Sequence, residues 1–171
     1  TEHSVPFNME ADSLNSAVLG PDAGPGTPEF DLFIKEVRKE MTVKCGQKCT
    51  AVRRIFVPRK HMDDVQEALT AQLAQTVIGD PQHDGVRMGA LVGKSQCQDV
   101  LDQVAHIERE AQMVFGSKTP PALLGAEAKQ GAFLQPMLFR SDFLVLNGFF
   151  QGNACRLRDT HRTKHLSLIH I

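Results

Sequence analysis

The chain has 171 residues, 42% hydrophobic and 23% charged, with a formal net charge of -1. That balance fits a globular domain with a real core, and it argues against nucleic acid or an acidic membrane as partner. Phe is the only aromatic residue, so a base-stacking platform is also poorly supported.

Cys45, Cys49, Cys97 and Cys155 are too sparse for a secreted disulfide scaffold, and no signal peptide is visible. No apolar run approaches the roughly 20 residues needed to span a bilayer. A reducing, cytoplasmic setting is the expectation. The chain starts at Thr1, and residues 3–9 already read as the inside of a fold. The N-terminus therefore reads as a truncation.

Residues 4–10 read as a strand, and Leu14 to Leu19 form a second short apolar run. Residues 20–26 are a Gly- and Pro-rich loop. Thr27 is an N-cap candidate with Pro28 at the first helical position. Phe30, Phe33, Ile34, Val37 and Met41 recur at helical spacing, and the helix is expected to run down to Gly46. Arg54 to Pro58 reads as a strand. A second helix is expected from about Lys60 to Thr76, with Met62, Val65, Leu69 and Leu73 inward, ended by Gly79-Asp80-Pro81.

A loop then leads to Met88-Gly89-Ala90-Leu91-Val92. Ser95 with Gln98 gives a capping-box signature. The third helix places Val100, Leu101, Val104, Ile107, Ala111 and Val114 inward and is expected to stop at Gly116. A strand is expected over Ala132 to Arg140. Strands alternating with helices of this length argue for α/β architecture.

From about Phe143 the periodicity is lost. His161 and His165 sit four apart, as two metal ligands on one helix face would, but no Asp, Glu or Cys follows at a ligand spacing. The last six residues match the translation of a common sequencing-library adaptor. Residues 143–171 are therefore expected to be an out-of-frame or foreign, disordered tail, and 1–142 the domain. No metal is expected.

The chemistry centres on Gly46-Gln47-Lys48-Cys49. Thiolate is the nucleophile, so a reactive Cys needs a setting that lowers its pKa. Gly46 permits a turn that exposes the residues after it, and N–H groups there could face a developing oxyanion. Lys44, Lys48, Arg53 and Arg54 lie close in sequence and would favour an anion. The commoner fate of a free cysteine is to pack as a small hydrophobe, and spacing alone leaves both roles open for Cys49. Cys45 and Cys49 form a lone C-x₃-C pair, weak as a metal signal. Glu10 lies in a largely apolar segment where burial would raise its pKa toward that of a base, and Asp12 competes for the role.

Glu10, Gly46–Cys49, Gly79–Pro81, Met88–Val92 and the run from Gly131 to Pro136 stand in the order seen in the aldehyde dehydrogenase superfamily, which the chain resembles over residues 1–142. The resemblance makes Cys49 the catalytic nucleophile and Glu10, 39 positions upstream, the general base. The segments 9–15, 40–42 and 49–54 are similar to a subgroup: the aldehyde dehydrogenase half of the bifunctional ring-opening enzymes of phenylacetate degradation. The semialdehyde dehydrogenases of the benzoyl-CoA epoxidation pathway are similar too. Both imply a CoA-linked semialdehyde as substrate, NADP (or NAD) as cofactor and a homo-oligomeric intact enzyme.

Two departures stand out. Ala11-Asp12 replaces the paired glycines of the wider family, and Cys45 occupies a position usually filled by a small residue such as Ala. The resemblance also implies that the dinucleotide-binding domain and the oxyanion-hole asparagine lie upstream of this chain. The segment that holds the nicotinamide ribose would follow residue 140. The cofactor site is thus unassigned here, apart from contact between the Glu10 segment and the nicotinamide, and the chain alone is expected not to turn over. Three other readings stay open: an enzyme whose acyl group passes to CoA instead of water, a non-catalytic α/β oligomerisation fragment, and a Cys45–Cys49 redox pair.

Overall fold

The computed structural model describes residues 15–141. Glu10, Asp12, the expected strand at 4–10, Cys155, the His161/His165 pair and the expected tail lie outside the described residues. The described part is α/β. Strand β1 (Asn15–Val18) pairs in parallel with β2 (Val52–Phe56), and helix α1 (Pro28–Thr42) lies between them in the chain. The crossover makes a βαβ unit, the usual way to bring two strands parallel. Helices α2 (Met62–Ala74) and α3 (Lys94–Ile107) follow. Strand β3 (Gln112–Phe115) then pairs antiparallel with β4 (Leu138–Arg140).

The start of α1 follows from local chemistry. Thr27 is extended (φ -92°, ψ 148°), Phe30 N–H donates to its Oγ1 at 3.2 Å, and Pro28 occupies the position where a missing N–H costs nothing. The helix ends before Gly46, the expected end. It stops at Thr42, whose hydroxyl donates back to the Arg38 carbonyl at 2.9 Å, and Val43 turns extended. A tight 3₁₀ turn covers Val43–Gly46 instead, with the backbone left-handed at Lys44, Cys45 and Gly46 (φ 52°, 55° and 71°).

Two buried clusters form the core. The first packs α1 (Phe30, Ile34, Val37, Met41) and α2 (Met62, Val65, Leu69, Leu73) around Ile55 and Val57, all under 7% exposed. The second gathers Val100, Val104 and Ile107 of α3 with Ile78, Met88, Leu134 and Cys45. Strand β4 serves both, because successive side chains on a strand point to opposite faces: Leu138 enters the first cluster and Phe139 the second.

Three expectations need correction. Helix α3 begins on Gly93 with no side-chain cap, and Gln98 donates to Asp102 instead of closing a capping box with Ser95. It ends at Ile107, not Gly116; Glu108-Arg109-Glu110 turns, and Gln112–Phe115 forms strand β3. The 132–140 strand shrinks to Leu138–Arg140, since Pro136 has no N–H to give a ladder.

Glycine at 79 answers to a close backbone approach. Residues 78–80 are held by Leu124, with Asp80 N–H donating to its carbonyl at 2.9 Å, and a Cβ at Gly79 would overlap that carbonyl.

Candidate active site

Cys49 lies in a turn between the 3₁₀ segment and β2, and its thiol-bearing residue is exposed. The turn is cross-braced by its own backbone. Gln47 N–H donates to Lys44 at 3.0 Å, Lys48 N–H to Gly46 at 2.9 Å, and Ala51 N–H to Lys48 at 3.1 Å. Among the described residues no acceptor pairs with the Cys49 N–H.

Three side chains fasten this turn to the fold. The Asn15 amide donates to the carbonyl of Cys49 at 2.6 Å and to that of Ala51 at 3.4 Å. Gln47 Oε1 accepts from the Val92 N–H at 3.1 Å, which joins the turn to the 88–92 segment. Lys48 Nζ pairs with Glu40 Oε1 at 2.7 Å, which joins it to the last turns of α1. Both side chains of that pair are largely covered, at 20% and 16% exposure. The Lys48 ammonium is thus matched by a carboxylate, and the cluster of uncompensated cations expected around Cys49 loses this member. Arg53 and Arg54 are half-buried on β2, and burial lowers the pKa of each guanidinium. Lys44 is exposed.

The second cysteine of the C-x₃-C pair has the opposite environment. Cys45 is 1% exposed, in the core cluster against which Cys97 packs. Burial first, and the neighbouring Cys97 second, push its thiol up to about 12. Burial raises Cys97 as well. Cys45, Cys49 and Cys97 are all free thiols. Among the described residues no group of three or more His, Cys, Asp or Glu could hold a metal ion, and no helix is long and apolar enough to cross a membrane.

Three of the motifs that stand in order along the chain thus converge in space: Gly46–Cys49, Met88–Val92 through Val92, and 131–136 through the bond from Leu91 N–H to the Ala132 carbonyl at 2.9 Å. Asn15 and Glu40 were not legible as partners of this turn. Their contacts span 34 residues for Asn15 to Cys49 and 8 for Glu40 to Lys48, and neither separation carries a periodic signal.

The sequence model of the aldehyde dehydrogenase family matches residues 2–142. The chain belongs to the aldehyde dehydrogenase family. It is 48% identical over 139 residues to the 3,4-dehydroadipyl-CoA semialdehyde dehydrogenase of Aromatoleum evansii, covering 81% of this chain and 27% of that protein. A putative aldehyde dehydrogenase of Staphylococcus aureus (strain MSSA476) is 33% identical over 114 residues, 64% of this chain and 23% of that one.

Solved aldehyde dehydrogenases share the fold. A mutant of aldehyde dehydrogenase C from Pseudomonas syringae, complexed with NAD+ and octanal, superposes with a TM-score of 0.63 at 22% identity, over 75% of this chain and 25% of that one. The γ-glutamyl-γ-aminobutyraldehyde dehydrogenase of Burkholderia cenocepacia J2315 gives 0.59 at 26% identity, over 76% and 24%. The chain spans about a quarter of the length of these relatives.

Proposed function

We propose that Cys49 is the nucleophile, and Glu10 the general base, of an NAD(P)-dependent dehydrogenase that oxidises a CoA-linked semialdehyde to its acid. The single observation that carries the reading is the exposed Cys49 on a turn braced from three sides, in a chain of the aldehyde dehydrogenase family. The CoA-linked semialdehyde is supported by the name of the Aromatoleum enzyme, and it is the substrate class common to the phenylacetate and benzoyl-CoA resemblances.

Cys49 as thiolate attacks the aldehyde carbon and forms a thiohemiacetal. The unpaired N–H of Cys49 is a suitable donor to the new oxyanion, because it has no competing acceptor among the described residues. A bound nicotinamide would supply the hydride acceptor, and loss of hydride from the thiohemiacetal carbon would leave a thioester on Cys49. Glu10 then takes a proton from water, which attacks the thioester and releases the acid. The dinucleotide is NADP or NAD.

In the intact enzyme, Cys49→Ala is expected to abolish aldehyde oxidation, and retained turnover would remove Cys49 from the role. Glu10→Gln is expected to accumulate acyl-enzyme and stall acid release. Undiminished steady-state acid production would put the base elsewhere. Acyl-enzyme incubated with and without CoA separates hydrolysis from transfer to CoA.

A further inference from the structure

We propose that Asn15 is a positioning residue for the nucleophile, acting through the backbone of the Cys49 turn. The inference rests on the reading of Cys49 as nucleophile and adds a residue to it. Asn15 opens β1 opposite Val52, and the next pair is Ser16 with Arg54, so the register slips by one residue at this point. Such a bulge re-aims the side chains beside it. Here the Asn15 amide faces the turn that precedes β2, where it meets the carbonyls of Cys49 and Ala51 at 2.6 and 3.4 Å.

A side-chain amide has two N–H donors, and both carbonyls can be served at once. The Cys49 carbonyl belongs to the peptide plane that leaves the nucleophile. Fixing that plane restricts the backbone rotation of Cys49, and with it the direction of Sγ toward the reacting carbon and of the N–H toward its oxygen. An error of about 1 Å in such a position costs on the order of 10²-fold in rate. Ala51 is fully buried, so the second bond ties the turn to the core.

The same contact has a consequence for the base. Glu10 lies five residues before Asn15. Five residues of chain reach at most about 17 Å. In the proposed mechanism the base thus stands within a short span of sequence of the point where Asn15 meets the nucleophile turn.

The test uses the intact enzyme with Asn15→Asp and Asn15→Ala, and Cys49→Ala as reference. Asn15→Asp keeps the shape and loses the donors. At pH 7.5 both variants are expected to lower kcat by about 10- to 100-fold, with KM for the dinucleotide unchanged within twofold. They are also expected to slow iodoacetamide labelling of Cys49 or broaden it into two phases. The Asn15→Asp variant carries a further signature, because a protonated carboxyl donates again. Its activity relative to the parent should rise as pH falls from 7 toward 5, whereas that of Asn15→Ala should stay flat.

Parental kcat and parental Cys49 labelling in a folded Asn15→Asp variant would overturn the proposal. So would a loss of kcat with the same pH dependence in both variants. If Asn15→Ala does not fold, the isosteric variant decides through the pH ratio. Full activity in Cys49→Ala would instead overturn the nucleophile reading itself, so the two failures are distinguishable.

Discussion

The contrast between Cys45 and Cys49 predicts a labelling pattern. A thiol held at about 12 is ionised to about 10⁻⁴ at pH 8, against about a quarter for an ordinary cysteine near 8.5. Thiolate is the reacting form, so ionisation alone should slow Cys45 by on the order of 10³-fold. Its 1% exposure slows it further. The assay is a timed reaction with iodoacetamide at pH 8, quenched, digested and read peptide by peptide in a mass spectrometer. Cys49 should label in the native protein while Cys45 stays unmodified, and in strong denaturant the two should label at similar rates. Cys45 labelling within tenfold of the Cys49 rate in the native protein would refute the argument. The result also bears on a Cys45–Cys49 redox pair, since a thiol ionising near 12 supplies almost no attacking thiolate at neutral pH.

The raised Cys45 thiol also predicts alkaline sensitivity. The unfolded chain loses this proton near 8.5 and the folded one only near 12, so the unfolded state binds fewer protons between these values and stability falls as pH rises. The slope is about 1.4 kcal/mol per pH unit. The stability advantage of the parent over Cys45→Ala should therefore shrink by about 2 kcal/mol between pH 8.5 and 10 in urea titrations; a constant difference would count against it. Lys44→Gly relieves a left-handed backbone at an exposed residue and should stabilise by about 1 kcal/mol, seen as a raised urea midpoint. Gly79→Ala drives a Cβ into the Leu124 carbonyl and should cost about 1–3 kcal/mol, measured the same way; an unchanged midpoint would show that this backbone approach yields freely.

The elements most legible in the sequence were those governed by local chemistry. Thr27-Pro28 marks the start of α1, and the four inward residues of α2 recur at a spacing only a helix buries together. What failed was governed by contacts far along the chain. Ala111 and Val114 fit both a helical stripe and a short alternating strand. Pairing of Met113 with Phe139, 26 residues on, selects the strand. The same limit applies to the site. Cys49 stands out because Gly46 and Gln47 precede it, yet its environment depends on Asn15, Glu40 and Val92. Asn and Glu serve so many surface roles that neither announces a partner, and the Val92 contribution is a backbone N–H.

The strain in the nucleophile turn has a structural counterpart. Lys44 and Cys45 both adopt a left-handed backbone, at a cost of about 1–2 kcal/mol each relative to a helical conformation. Such a conformation persists only where the surroundings over-determine it. Here α1 ends in the first core cluster while the Cys45 side chain belongs to the second, so the reversal at 44–46 lets one short segment enter both. The buried thiol fixes the turn from beneath, and Asn15, Gln47 and Lys48 fix it from the sides. Cys49 can then be exposed without being loose, because its exposure comes from the direction of the turn and not from a lack of anchors. Cys45 suits this place, because its side chain enters the second core cluster and burial keeps its thiol neutral.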